Sequence, residues 1–268
     1  MIECIHPGVT AGKTKVVLFD FDGTLSLVRA GWFDVMVPMM VELLAELKSG
    51  ESEEELTAIV KEFVARLTGK QTIYQAIELA EQIQKRGGTP QDALVYKHMY
   101  LDRLHERIKG RLAELREGRC SPDKYLVPGS RALLEDLRDR GLTIYLASGT
   151  DEPFMRDEAR LVDVEKYCNG GVFGALDDYK TFSKAILIQR IIAQAECQGD
   201  EFLGFGDGYV EIENVKQVGG VAIGVATDEP HCLKVDEWKR QRLMGVGADY
   251  IIPNFLEYKE LLRTIFPS

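Results

Sequence analysis

Four apolar runs in the second half of the chain, residues 142–147, 201–205, 221–225 and 250–252, alternate with stretches of helical period at 131–140, 182–195 and 255–265. Strands separated by helices cannot be joined by hairpins. Each returns by a crossover, which makes the sheet parallel and covers both of its faces. A further run, residues 16–19, opens with two β-branched residues and suits a strand buried on both faces. Between this strand and the next, nearly everything from about residue 30 to residue 118 reads as helix. Ser52 with Glu55 forms a capping box, followed at helical spacing by Leu56, Ile59, Val60, Phe63, Val64 and Leu67 up to Gly69. Thr72 is placed to cap a helix carrying Ile73, Ala76, Ile77, Ala80 and Ile83, and Thr89 and Pro90 take the cap and first-turn positions of a long helix ending near Glu117. Residues 31–48 also have helical period, with Pro38 expected to kink or delay the helix. The chain therefore reads as one α/β domain, residues 1–28 and 121–268, split by an all-helical insertion, residues 29–120, that folds as its own small lobe.

With 268 residues, 45% of them hydrophobic, the chain can bury a sizeable core. Its net charge of −10 argues against nucleic acid or a membrane surface as partner. The cysteines Cys4, Cys120, Cys168, Cys197 and Cys232 are scattered and odd in number, which reads as reduced thiols and as neither a disulfide frame nor a zinc site. Residues 1–14 lack the apolar run of a signal peptide, and no run reaches the ~18 to 20 residues that cross a bilayer. A cytoplasmic protein, monomeric or a small homo-oligomer, is the expectation.

In an open parallel sheet, ligands bind beyond the carboxyl ends of the strands. The strand at 16–19 ends in Asp20-Phe21-Asp22-Gly23-Thr24, that at 142–147 in Ser148-Gly149-Thr150, and that at 201–205 in Gly206-Asp207-Gly208-Tyr209-Val210-Glu211. Phe182-Ser183-Lys184 opens a predicted helix. Each piece alone has a bland reading: a solvated acidic turn, an ordinary loop, a glycine turn, a solvated lysine. Their conjunction, each at the chemically useful end of its element, favours a site.

Together the four motifs resemble those of the haloacid dehalogenase superfamily of phosphohydrolases, in the phosphoglycolate phosphatase and β-phosphoglucomutase-like branch with a helical cap of the C1 type inserted after the first motif. The resemblance spans the whole chain, the cap matching in placement and helicity. It implies a Rossmann-like parallel-sheet core and a magnesium-dependent hydrolysis of a small phosphorylated metabolite. By this resemblance Asp20 is a nucleophile that forms an aspartyl-phosphate, splitting one hard displacement into two easier ones. Asp22 is the general acid that protonates the leaving alcohol and then, as base, activates water. Gly23 admits the phosphate against the backbone. Asp20, the backbone carbonyl of Asp22 and Asp207 are the implied Mg2+ ligands, with Glu211 an outer or water-mediated partner where many members carry aspartate. Ser148 and the N–H of Gly149 hold phosphoryl oxygens, and Lys184 neutralises nucleophile and phosphate, with Lys180 a competitor for that role. In the cap, the stretch Leu67-Thr68-Gly69-Lys70-Gln71-Thr72 resembles a specificity loop, which places Lys70 and Gln71 toward the leaving group. The bland alternative is a helix stop and a solvated lysine. Arg29 and Trp32, on the hinge side, are further candidates to reach substrate, Trp32 also fitting a packing role.

Dehalogenases and phosphonate-cleaving relatives replace the second carboxylate of the first motif, so Asp22 speaks against both. A sugar-phosphate mutase keeps both aspartates and stays open. A receiver-type signalling domain has no task for Asp22, Glu211 or a helical insertion. A catalytically dead binding module fits poorly with intact Asp20, Asp22, Asp207 and Lys184.

Overall fold

The computed structural model describes residues 2–176 and 183–267. The chain divides into two compact units, Met1–Ala30 with Leu112–Ser268, and Gly31–Arg111. Arg29, Ala30 and residues 112–120 thus fall in the first unit, whereas the sequence reading grouped them with the insertion.

The first unit is built on seven strands: β1 (Glu3–Cys4), β2 (Val16–Asp20), β3 (Thr143–Asp151), β4 (Gly171–Ala175), β5 (Phe202–Gly206), β6 (Val221–Val225) and β7 (Tyr250–Ile252). Their order in the sheet is β1-β7-β6-β5-β2-β3-β4, parallel except for β1, which runs antiparallel to β7. From β2 the chain steps outward to β3 and β4, then crosses to β5 and steps outward the other way. The connections therefore diverge at the carboxyl ends of β2 and β5, the switch point of a doubly wound, Rossmann-like sheet. All five residues of β2 are buried, which explains its uninterrupted apolar run. The Phe19 ring stacks on Phe205 at 4.6 Å between centroids, and Phe255 packs edge-on to both at 6.4 and 6.0 Å. Removing such a buried ring costs about 3–5 kcal/mol. This cluster fixes the ends of β2 and β5 one residue before Asp20 and two before Asp207.

β3 is longer than its apolar run. Its pairing with β4 shifts register between Ala147 and Asp151, so Ser148, Gly149 and Thr150 lie in an irregular stretch within the strand and not in a loop after it. β4 escapes the apolar pattern because two of its five residues are glycine. A Cβ on Gly174 would stand 2.3 Å from the Cα of Glu152, so close packing demands glycine there despite its poor strand propensity.

The second unit holds α1 (Phe33–Ala45), α2 (Glu53–Arg66), α3 (Ile73–Lys85) and most of α4 (Ala93–Arg116). The capping box is present: Ser52 Oγ accepts from the Glu55 N–H at 3.2 Å, and Glu55 Oε2 accepts from the Ser52 N–H at 2.7 Å. Thr72 precedes α3 without a side-chain capping bond, α1 runs through Pro38, and α4 starts three residues after Pro90, where Asp92 Oδ1 accepts from the Leu94 N–H at 2.8 Å. In the first unit the sheet is flanked by α5 (Ser130–Asp139), α6 (Glu152–Leu161), α7 (Lys184–Ala195), α8 (Tyr209–Gln217), α9 (Glu237–Gly245) and α10 (Tyr258–Ile265). Among the described residues no helix is long and apolar enough to cross a membrane. The five cysteines are free thiols.

Candidate active site

Asp20 closes β2 with only 5% of its surface exposed. Its Oδ1 accepts from Lys184 Nζ at 2.6 Å and its Oδ2 from Thr24 Oγ1 at 3.2 Å. Lys184 is the first residue of α7, a start fixed by Ser183, whose Oγ accepts from the Ile186 N–H at 3.1 Å. The same ammonium contacts the carboxylate of Glu211 in the first turn of α8, so one buried lysine bridges two buried acids. Glu211, an implied outer partner of a metal, is thus engaged by Lys184.

Asp207 follows β5 directly. Its N–H donates to Thr24 Oγ1 at 2.9 Å, and that hydroxyl, with its single hydrogen, stands 3.2 Å from Asp20 Oδ2 and 3.5 Å from Asp207 Oδ1. The other oxygen, Asp207 Oδ2, accepts from Lys239 Nζ at 2.9 Å, and Lys239 also donates to Glu229 Oε1 at 2.7 Å. Asp22 presents Oδ2 to two hydroxyls, Ser148 Oγ and Thr150 Oγ1, each at 2.9 Å, while Ser148 Oγ accepts from the Thr150 N–H at 2.9 Å. Asp22 Oδ1 is buried without a hydrogen-bond partner, with Arg29 Nε 4.0 Å away. Arg29 itself is buried and grips Glu158 through Nε at 3.0 and 3.1 Å and Nη2 at 2.7 Å. Gly23 joins these groups at φ +75°, and a Cβ there would stand 2.3 Å from Asp207 Oδ2 and 2.9 Å from Glu229 Oε1. Glycine is required twice at this position, for its backbone and for the space.

Burial raises the Asp20 carboxyl to about 7; Lys184 opposes this, and the charges of Asp207 and Asp22 add to it. Glu229 is likewise raised, first by burial, with Lys239 opposing and Asp207 and Asp22 adding. Burial raises Glu158 against the pull of Arg29. For Lys239 burial works against the charge, and Asp207 and Glu229 outweigh it, raising its affinity for the proton. The cluster holds more carboxylates than cations, and extra positive charge stabilises it.

Among the described residues no three His, Cys, Asp or Glu side chains gather into a self-sufficient metal cage. Magnesium does not demand one: it takes one or two carboxylates and keeps waters for the rest of its shell. Asp20 Oδ2 and Asp207 Oδ1, sharing the Thr24 hydroxyl, are hard oxygens of the right kind and charge, so the donor set fits that ion.

Of the residues singled out from sequence, the structure brings together Asp20, Asp22, Ser148, Lys184, Asp207 and Glu211, with Gly149 next to Ser148 in β3. Lys180 lies outside the described residues. Lys70 and Gln71 belong to the helical unit, where Lys70 Nζ stands 5.8 Å from the centroid of the Tyr74 ring and Gln71 is buried. Glu158, Glu229 and Lys239 join the site without a sequence motif. For Glu229 a signal exists: the strand-end rule applied to β6 points to the turn that follows it. Lys239, inside the charged run Trp238-Lys239-Arg240-Gln241-Arg242, reads as a solvated face.

No curated protein matches the chain. Among solved structures, a predicted phosphoglycolate phosphatase from Haemophilus somnus 129PT superposes with a TM-score of 0.60 at 11% identity, covering 93% of this chain and 98% of its own. A HAD family hydrolase from Deinococcus radiodurans R1, with bound phosphate and sodium, gives 0.55 at 15% identity over 95% and 97% of the two chains. A proposed β-phosphoglucomutase from Thermotoga maritima gives 0.53 at 18% identity over 94% and 97%. These likenesses establish the fold. Residues 14–219 match the sequence profile of the haloacid dehalogenase-like hydrolases, and the chain belongs to that family.

Proposed function

We propose that this hydrolase is a magnesium-dependent phosphatase acting on a small phosphorylated metabolite through an aspartyl-phosphate at Asp20. One observation carries the reading: Asp20 and Asp22 stand side by side at the switch point in opposite settings. Asp20 is held by Lys184 at 2.6 Å, and Asp22 keeps one buried oxygen without a hydrogen-bond partner. An Asp20 oxygen attacks phosphorus while the bond from phosphorus to the ester oxygen breaks. Asp22 Oδ1 delivers a proton to the departing alkoxide. Asp22 then takes a proton from water as the water oxygen attacks phosphorus, releasing inorganic phosphate and restoring the Asp20 carboxylate. Ser148 and Thr150 hold Asp22 in place through its other oxygen. Lys184 offsets the charge that otherwise keeps two anions apart. Asp20, Asp207 and the backbone carbonyl of Asp22 would hold the magnesium ion, which supplies charge neutralisation at the transferring phosphoryl group. The phosphate bound in the Deinococcus radiodurans relative supports a phosphate-sized anion as the ligand.

The test is phosphate release from a panel of phosphorylated metabolites, with magnesium and with chelator, beside the Asp20→Asn variant. Chelator-sensitive release from a narrow subset, absent in the variant, is the expected result. Isomerisation of sugar phosphates without net release, or release by Asp20→Asn at the wild-type rate, overturns the proposal.

A further inference from the structure

Asp207 is gripped on one side only. Its Oδ2 accepts from Lys239 at 2.9 Å, while its Oδ1 faces the Thr24 hydroxyl at 3.5 Å, on the side shared with Asp20 Oδ2. A lone lysine beside a metal ligand would repel the ion. Here Lys239 also donates to Glu229 at 2.7 Å, and all three side chains are largely buried, between 15% and 18% exposed. Lys239 and Glu229 are both anchored. Lys239 stands in the first turn of α9, where its N–H donates to the capping Asp236 Oδ1 at 2.9 Å. The turn carrying Glu229 is stapled by Asp228 Oδ1, which accepts from the N–H groups of Leu233 at 2.7 Å and Lys234 at 2.9 Å. A bridge between Thr227 and Val235 closes it.

Resting on the magnesium reading above, we propose that Lys239 and Glu229 are a charge-balanced clamp on Asp207. Lys239 holds Oδ2 so that Oδ1 is presented to the divalent ion beside Asp20, and Glu229 cancels the lysine charge so that the ion is not repelled. The trio carries one net negative charge. Removing the Glu229 charge brings it to neutral, and removing both the Glu229 and Lys239 charges returns it to one negative. Both residues are positioning residues, since neither is proposed to touch substrate or metal.

The test is isothermal titration of the purified full chain with magnesium chloride, with melting temperature followed in parallel against magnesium concentration and circular dichroism as the check on folding. Glu229→Gln is expected to weaken magnesium binding roughly tenfold or more, because the trio then loses its net negative charge and the Lys239 charge is balanced only by Asp207, the carboxylate that would hold the ion. The double variant Glu229→Gln with Lys239→Met is expected to bind closer to wild type than Glu229→Gln alone. A merely structural pair would lower the melting temperature without moving magnesium affinity. Equal affinity in wild type and Glu229→Gln overturns the clamp and leaves the magnesium reading intact, as does a double variant no better than the single one. A folded wild type that shows neither heat nor a thermal shift with magnesium overturns both.

Discussion

Replacing Asp20 with asparagine keeps the shape of the side chain and removes its charge, and the structure states what that does to stability. Asp20 takes up its proton at about 7 in the folded protein against 3.8 for the free side chain, because burial, Asp207 and Asp22 together outweigh Lys184. Between those two values the folded protein holds a proton that the unfolded chain has lost. The wild type therefore loses stability as pH rises from about 4 and stops losing it once about 7 is passed. At 1.36 kcal/mol per unit, the part lost between about pH 5 and about pH 8.5 is about 3 kcal/mol, confined to the two units below 7. Asp20→Asn has no such proton. Urea unfolding of both proteins in chelator at the two pH values isolates the effect, since the packing cost of the substitution is common to both and cancels. The variant should gain about 3 kcal/mol on the wild type as pH rises. Magnesium added at the higher pH should restore the wild type and leave the variant unmoved. Parallel pH dependences in chelator would refute the account of a site strained by its own negative charge.

Asp22→Asn should slow release of the alcohol from alkyl phosphates by about 10²- to 10⁴-fold and that from p-nitrophenyl phosphate far less, because the better leaving group needs no proton. Alcohol release in a single turnover on the two substrates checks this, since the later hydrolysis of the aspartyl-phosphate needs Asp22 with either, and equal losses in that first step would remove the acid role. Gly23→Ala forces a Cβ to 2.3 Å from Asp207 Oδ2 at a positive φ; a folded protein with roughly 10²-fold lower kcat/KM is expected, and an unimpaired one would show the site to be loose. Lys70→Ala should change the order of preferred substrates while leaving p-nitrophenyl phosphate turnover near wild type; an equal fall on all substrates would exclude a selecting role.

Much of this arrangement is legible in the sequence because strand ends are. Asp20, Ser148 and Asp207 each follow a run of buried apolar residues, and the parallel sheet brings those ends together by rule. Lys184 is legible because Ser183 announces its helix. What escapes is what depends on tertiary neighbours. Two glycines hide β4, whose pleat is dictated by the backbone of α6 packed against it. Lys239 lies in a charged run whose face toward the site only the fold selects, and Arg29 reads in sequence as a candidate to reach substrate, with nothing to announce that Glu158, from a distant helix, closes on it. The Ser148-Gly149-Thr150 stretch reads as a loop because a register shift leaves no mark in hydrophobic pattern.

The place of β2 in the sheet also bears on how the protein comes to exist. Val16 pairs with Thr143 on one side and with Phe202 on the other, so the first long strand to be made is central in the finished sheet and waits for partners that lie beyond the whole helical unit. At roughly 5 to 20 residues per second of synthesis, that wait lasts on the order of ten seconds or more. Through it, Val16–Asp20 offers bare backbone and an apolar face to any other strand nearby. Chains cut short ahead of Phe202 should accordingly aggregate where the full chain does not, which makes the birth of this sheet, and not its finished form, the moment when its central strand is most exposed.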